Sequence, residues 1–181
     1  MRVPVSERLG EENAAWPLVR YSLGHERAAG AMNQSAMYRR VLDELIDLTR
    51  RHGLTDRPDV RQGLVDFEIR LRVMRSSAMR IISDIVIKGE PGPISSASRL
   101  FVAAFEQDLH EFAVDALGMY GVLDRDEELA VQRSRWTMGF LRTRASTIGT
   151  GTSQIQRNTV AERVLGLPRE PVAGTVTVAD G

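Results

Sequence analysis

The stretch TIGTGTSQIQRNTVAERVLGLPRE, from Thr147 to Glu170, combines glycines and small hydroxyls with an immediate helical pattern. Gly149 and Gly151 allow positive φ and let a ligand come close to the main chain. Thr152 or Ser153 can cap the helix that follows. A helix start with free N–H groups beside small hydroxyls suits a phosphate, a ribose or a carbonyl oxygen. The same features also serve as an ordinary glycine-rich turn into a helix. The loop lacks the Gly-Lys-Ser/Thr core of a P-loop, and it lacks the strand and third glycine of a Rossmann fingerprint. It carries no carboxylate, His or Cys before Glu162, so any acid–base chemistry at this loop needs a group from elsewhere.

One such group is Glu26, followed by Arg27. Taken alone, this pair reads as a solvated helix face contributing less than about 1 kcal/mol. Metal chemistry is not expected. The three His residues, His25, His52 and His110, have no metal-ligand spacing, and there is no Cys.

The elements that must position these groups are helices. Val60, Leu64, Phe67, Leu71, Met74, Ala78, Ile81 and Ile85 recur at alternating steps of four and three, which predicts one long helix. Arg61, Arg70, Arg72, Arg75 and Arg80 fall off that seam. Pro58 suits the first turn, Asp56 is a candidate cap, and GEPGP ends the helix after Lys88. An earlier helix starts near Trp16-Pro17, carries the stripe Met37, Val41, Leu45 and Leu48, and stops at His52-Gly53. A third carries Val102, Phe105, Leu109, Phe112 and Ala116, with Ser95, Ser96 or Ser98 as its cap. A short fourth is expected to hold Leu129, Trp136 and Phe140, and a fifth to run from about Ser153 to Leu165. Such stripes bury most simply in an all-α, antiparallel four-helix bundle (up-down-up-down) with an additional C-terminal helix. RVPVSERLGEEN reads as a short extended segment at the start, like the last strand of another domain. Residues 168–181 read as a loose tail.

The 181 residues carry 24 basic and 24 acidic side chains and 43% apolar residues, as expected of one ordinary globular domain. Balanced charge argues against a nucleic-acid partner. No apolar run is long enough to span a membrane. A polar start argues against a secretory signal, and a cytoplasmic setting is the expectation.

GTSQIQRNTVAERVLGLPRE strongly resembles the C-terminal signature of acyl-CoA dehydrogenases. RVPVSERLGEENAAW, LGHERAAGAM and DALGMYGVL are similar, in order, to three other passages of that family's C-terminal region. The likeness runs from Arg2 to Glu170. Within the family it is greatest to a bacterial branch acting on long-chain, branched or steroid side-chain thioesters. The resemblance implies that residues 1–13 end a β-domain and that 14–167 form the helical C-terminal domain. It also implies that an N-terminal helical domain and most of the β-domain are missing ahead of Arg2, so that Met1 is an internal or misassigned start and the isolated chain is inactive.

The family removes the α-proton of an acyl-CoA thioester with a Glu base while hydride passes to FAD. Many members carry that Glu directly before Gly-Thr-Ser, where this chain has Thr150. Isovaleryl- and long-chain-type members carry it on the first long helix before an Arg, which corresponds to Glu26. The resemblance further implies that Gly24, His25, Arg27 and Gly151 line the thioester, and that Thr152, Ser153 and Gln154 meet the adenylate half of FAD. A homo- or hetero-oligomer with acyl-CoA dehydrogenase-type subunits is expected, with electron-transfer flavoprotein as the electron acceptor of a complete enzyme. Two departures stand against flavin binding between subunits. The Phe-Gly expected after the first helix is absent from TRRHGLTDRPD, where Arg50, Arg51 and His52 supply only charge. Asp115 replaces a Gln near the diphosphate, and Gly118-Met119 breaks a Gly pair. The alternative expectation is a non-catalytic bundle subunit that oligomerises without productive flavin binding.

Overall fold

A computed structural model describes residues 3–92, 94–149 and 151–169, with the side chains of residues 20, 23–25, 27–29, 31 and 32 outside the description. The fold is all-α: five α-helices and several 3-10 turns, with no strand among the described residues. The helices are α1 (Ala15–Arg51), α2 (Pro58–Lys88), α3 (Ile94–Leu117), α4 (Arg135–Thr143) and α5 (Ser153–Arg163). The first three are long and joined by short connections, so each folds back along its predecessor.

The α2 seam behaves as its spacing predicts. Val60, Phe67, Leu71, Met74, Ala78 and Ile81 are buried, and Leu64 and Ile85 are half-buried beside them. The contacts along α2 and α3 show the two helices to be antiparallel. Phe67 near the start of α2 meets Phe112 near the end of α3, whereas Ala78 and Ile81 pack with Ile94 at the opposite end. Phe105 is wholly buried, with Tyr38 of α1 and Phe67 of α2 edge-on to it at centroid distances of 5.4 and 5.7 Å. These rings, with Leu42, Leu45, Leu48, Leu109 and Trp136, form the main core. Helix α3 is the hub of the fold, packing against each of the other four α-helices.

Arg70 is an exception among the arginines expected to solvate the outer face of α2. Its guanidinium lies 5.3 Å from the Phe105 ring centre and 5.5 Å from that of Phe67, and it bonds Asp108 of α3 at 2.8 Å. Its carbon stem covers apolar surface while its charge reaches a carboxylate.

Several expected details differ. In α1 the buried row is Tyr38, Leu42, Leu45 and Leu48; Met37 is exposed and Val41 half-buried. The stripe is turned by one residue at its start because the Tyr38 ring fits against Phe105. Asp56 lies inside a 3-10 turn, so Arg57 takes the N-cap position of α2 and pairs with Asp59 at 2.6 Å. Ser95, Ser96 and Ser98 are buried within α3 instead of capping it. Leu129 is exposed and precedes α4, because Gln132, Arg133 and Ser134 all take positive φ and interrupt the helical path. Gln132 still serves α4: its Oε1 accepts the Trp136 indole N–H at 2.8 Å. The extended start is instead one 3-10 turn, Val5–Glu7, flanked by extended backbone. A strand needs a neighbour for its N–H and C=O groups, and the described residues offer none. Residues 170–181 of the expected tail lie outside the described residues.

Helices α1 and α2 are also joined by charge. Arg39 donates to Asp43 and to Glu68, and Glu68 accepts from Arg72 at 2.9 Å. The hydrogen bond from Arg39, then that from Arg72, lowers the Glu68 carboxyl from its ordinary value of 4.5. A depressed carboxyl adds stability above its unfolded-state value and loses it as pH falls through the folded-state value. Glu68→Gln is therefore expected to destabilise the chain at neutral pH by at most about 1 kcal/mol, since the pair is partly exposed. The gap to wild type should close as the pH is lowered below 4.5, read from urea midpoints at each pH.

Gly63 provides a sharper test of packing. A Cβ there would stand 2.3 Å from Cε2 of Phe112, so α2 and α3 approach too closely for any side chain. Gly63→Ala is expected to cost roughly 1–3 kcal/mol in denaturant unfolding despite the better helix propensity of Ala.

Candidate functional site

The loop before α5 is shaped from both sides. On its C-terminal side, Thr152 is the N-cap and its Oγ1 accepts the Ile155 N–H at 3.3 Å. Ser153 is thus the first helical residue, and the first-turn N–H groups of Ser153 and Gln154 have no intrahelical acceptor. Gly151 sits at φ +98°, and a Cβ there would lie 2.6 Å from Nε2 of Gln156. Both the backbone angle and the folded-back Gln156 side chain require glycine. Gln156 is 1% exposed, whereas Gln154 is exposed.

On its N-terminal side, the loop rests on the polar flank of α3. Arg99 Nη2 donates to the carbonyl oxygens of Ser146 at 2.7 Å and Gly149 at 3.2 Å. Gln107 Nε2 donates to the Thr143 carbonyl at 2.9 Å and to Thr147 Oγ1 at 3.4 Å. The Ile148 and Gly149 amides both donate to the Ala145 carbonyl. Carbonyls 143, 146 and 149 therefore turn toward α3.

Glu26 lies on α1 and is exposed. Among the described residues, no hydrogen bond or ion pair joins it to the loop. The loop and Glu26 are related through α3, against which both α1 and α5 pack. An open groove of about 460 Å³ lies farther along α1, lined by Arg39, Glu68, Arg72 and Arg75 among others, and it includes neither Glu26 nor the loop. The side chains of His25 and Arg27 lie outside the description, as does Gly24, and so does Thr150. Of the residues expected at the site, Gly151, Thr152, Ser153 and Gln154 stand together at the start of α5. Arg50 pairs with Asp47 at 3.7 Å, and Asp115 is exposed. No group of acidic and His side chains that could hold a metal occurs among the described residues, and none of their helices is long and apolar enough to cross a membrane.

Arg99, Gln107 and Gln156 escape sequence reasoning. Each is a polar residue within or beside a helical stripe, and its role depends on a main-chain carbonyl, or a loop glycine, brought to it by the fold.

Comparison with known proteins agrees with this architecture. Residues 13–165 match the family described as "Acyl-CoA dehydrogenase, C-terminal domain". The chain is 36% identical over 162 residues to "Acyl-CoA dehydrogenase IpdE1" of Mycobacterium tuberculosis, covering 90% of this chain and 40% of that protein. It is 28% identical over 177 residues to "Acyl-CoA dehydrogenase FadE26" of the same organism, covering 93% of this chain and 44% of that protein. Among solved structures, "Tcur3481-Tcur3483 steroid ACAD" superposes with a TM-score of 0.83 at 26% identity, over 93% of this chain and 44% of that one. The ChsE4-ChsE5 complex from Mycobacterium tuberculosis superposes with a TM-score of 0.74 at 26% identity, over the same shares. This chain thus spans less than half the length of each protein it matches here. A helical bundle centred on α3, a glycine-hydroxyl loop seated on its flank, and a match running from Asn13 to Leu165 place the chain in the acyl-CoA dehydrogenase family, as its C-terminal domain.

Proposed function

We propose that this chain works as the C-terminal domain of an FAD-dependent acyl-CoA dehydrogenase, with Glu26 as the base that removes the α-proton of an acyl-CoA thioester. The observation that carries this reading is the placement of two chemical groups within one family match: Glu26 on α1, and a loop before α5 whose carboxylate position holds Thr150. With Thr150 unable to act as a base, Glu26 is the remaining carboxylate at a position the family uses.

The residues at the start of α5 fit an adenylate group. Gln154 is exposed, Ser153 is half-buried, and the first-turn N–H groups are free of intrahelical partners. Thr152 spends its oxygen lone pair on the cap and keeps its O–H to donate. When bound, FAD supplies the hydride acceptor. The chain's own contribution is to hold the thioester near the half-buried Gly151 and to take the α-proton on the Glu26 carboxylate. The surface that completes the enclosure and keeps water from Glu26 comes from other parts of the assembly, since Glu26 is exposed here. Long-chain, branched or steroid side-chain thioesters are the proposed substrates, and electron-transfer flavoprotein is the proposed electron acceptor.

A second reading, a non-catalytic subunit of a mixed assembly, is favoured by one feature. Asp115 would set a negative charge where the family places a neutral Gln toward a diphosphate. The structural neighbours "Tcur3481-Tcur3483 steroid ACAD" and the ChsE4-ChsE5 complex support a mixed assembly as the setting for either reading.

The discriminating experiment is Glu26→Gln in the assembled flavoprotein. Turnover is expected to fall by about 100-fold or more with flavin content unchanged, in line with loss of a general base. Wild-type turnover in that variant would remove Glu26 from the mechanism, and an assembly whose activity never depends on this chain would leave the subunit reading.

A further inference from the structure

Arg99 and Glu106 stand seven residues apart on α3, two turns along one face. Arg99 holds the Ser146 and Gly149 carbonyls. Glu106 Oε2 accepts the Ser146 hydroxyl at 2.5 Å, so Ser146 is gripped at both its main chain and its side chain. The Glu106 carboxylate also acts on the phenol of Tyr38, which belongs to α1 and is 2% exposed. Burial, and then the Glu106 carboxylate, push the Tyr38 phenol upward, so it stays a neutral donor. A row of polar groups therefore leads from Tyr38 of α1, whose ring packs on Phe105 of α3, past Glu106 to Ser146 in the segment that enters the loop. It lies on the polar flank of α3, where Arg99, Glu106 and Ser146 are each half-buried, while the Tyr38 ring turns edge-on to Phe105. The arrangement gains a fixed geometry: carbonyls turned inward, and loop position referenced to α1.

We infer that Arg99 and Glu106 are positioning residues that set the Gly/Thr loop relative to α1, with Tyr38 as the link. The inference rests on the reading that α1 and the loop serve one ligand. Glu26 lies on the same helix as Tyr38, twelve residues away, and Thr152 follows soon after the gripped Ser146, so the contacts join the two elements that carry the groups the chemistry requires. Gln107 steadies the same segment at Thr143 and Thr147 without reaching α1.

The test uses the chain as it stands and needs neither flavin nor thioester. Amide hydrogen exchange is followed at Ile148 and Gly149, which share the Ala145 carbonyl, with the α2 amides around Leu71 as internal reference. Arg99→Ala is expected to raise exchange at Ile148 and Gly149 by about tenfold or more while the α2 amides hold their rates. Arg99→Lys, which keeps a cationic donor, should restore part of the protection. Should Arg99→Ala fail to fold, Glu106→Gln and Tyr38→Phe carry the same comparison, with loop amides again responding before α2. Unchanged loop exchange, or a uniform rise across the bundle, would overturn the inference. A responsive loop in a chain whose Glu26 proves dispensable would sink the catalytic reading alone. A silent loop in a Glu26-dependent enzyme would sink the positioning role alone.

Discussion

The enclosure of Phe105 is the constraint from which the rest of the structure follows. Its ring is completely buried on α3, with Tyr38 and Phe67 edge-on and the Arg70 guanidinium 5.3 Å from its centre. Those contacts come from two helices, Tyr38 from α1 and Phe67 and Arg70 from α2, so satisfying one ring fixes how α1 and α2 lie against α3. Edge-on aromatic pairs add roughly 0.5–1.5 kcal/mol each beyond their buried area. The larger effect is orientation: once Phe105 points into the core, the opposite requirement falls on Arg99, Glu106 and Gln107, which lie on the flank where the loop crosses α3. Core and loop are thus two consequences of one helix orientation.

This explains why a loop with no acidic group can belong to an acid–base site. Within the segment from Thr143 to Gly149 the carbonyls of Thr143, Ser146 and Gly149 turn toward α3, and Gly151 is pinned by its backbone angle and by Gln156. Beyond it, the start of α5 offers the Thr152 and Ser153 hydroxyls and helix-start N–H groups. Such a surface suits oxygen atoms of a ligand and has no means to take a proton. A carboxylate on α1 supplies that means only if α1 and the loop are held in register, and α3 is the element that both pack against.

The apolar seams were legible because burial leaves a period in the chain. Val60 to Ile85 reads directly as one helix face, and Thr152 announces α5 through its hydroxyl followed by a helical run. Other features were hidden for physical reasons. Nothing local reveals that Tyr38 rather than Met37 faces inward, since both are large and the choice depends on the fit against Phe105. Three successive positive φ angles at Gln132, Arg133 and Ser134 have no glycine to mark them, so the sequence pattern carries Leu129 into α4. Arg99 reads as one more surface arginine until the fold delivers two carbonyls to it. Seams follow from sequence spacing, whereas polar contacts between distant segments follow from the packed structure. The family signature supplied what periodicity lacks, a reason to connect Glu26 with a loop more than a hundred residues away.

The most direct measurement is a structure of the assembled protein with an acyl-CoA thioester bound. The account predicts the Glu26 carboxylate about 3–3.5 Å from the α-carbon of the thioester, a distance suited to reaction, with Gly151 and Thr152 lining the same cavity. A thioester bound elsewhere, or Glu26 left in solvent with the loop facing a different surface, would contradict it.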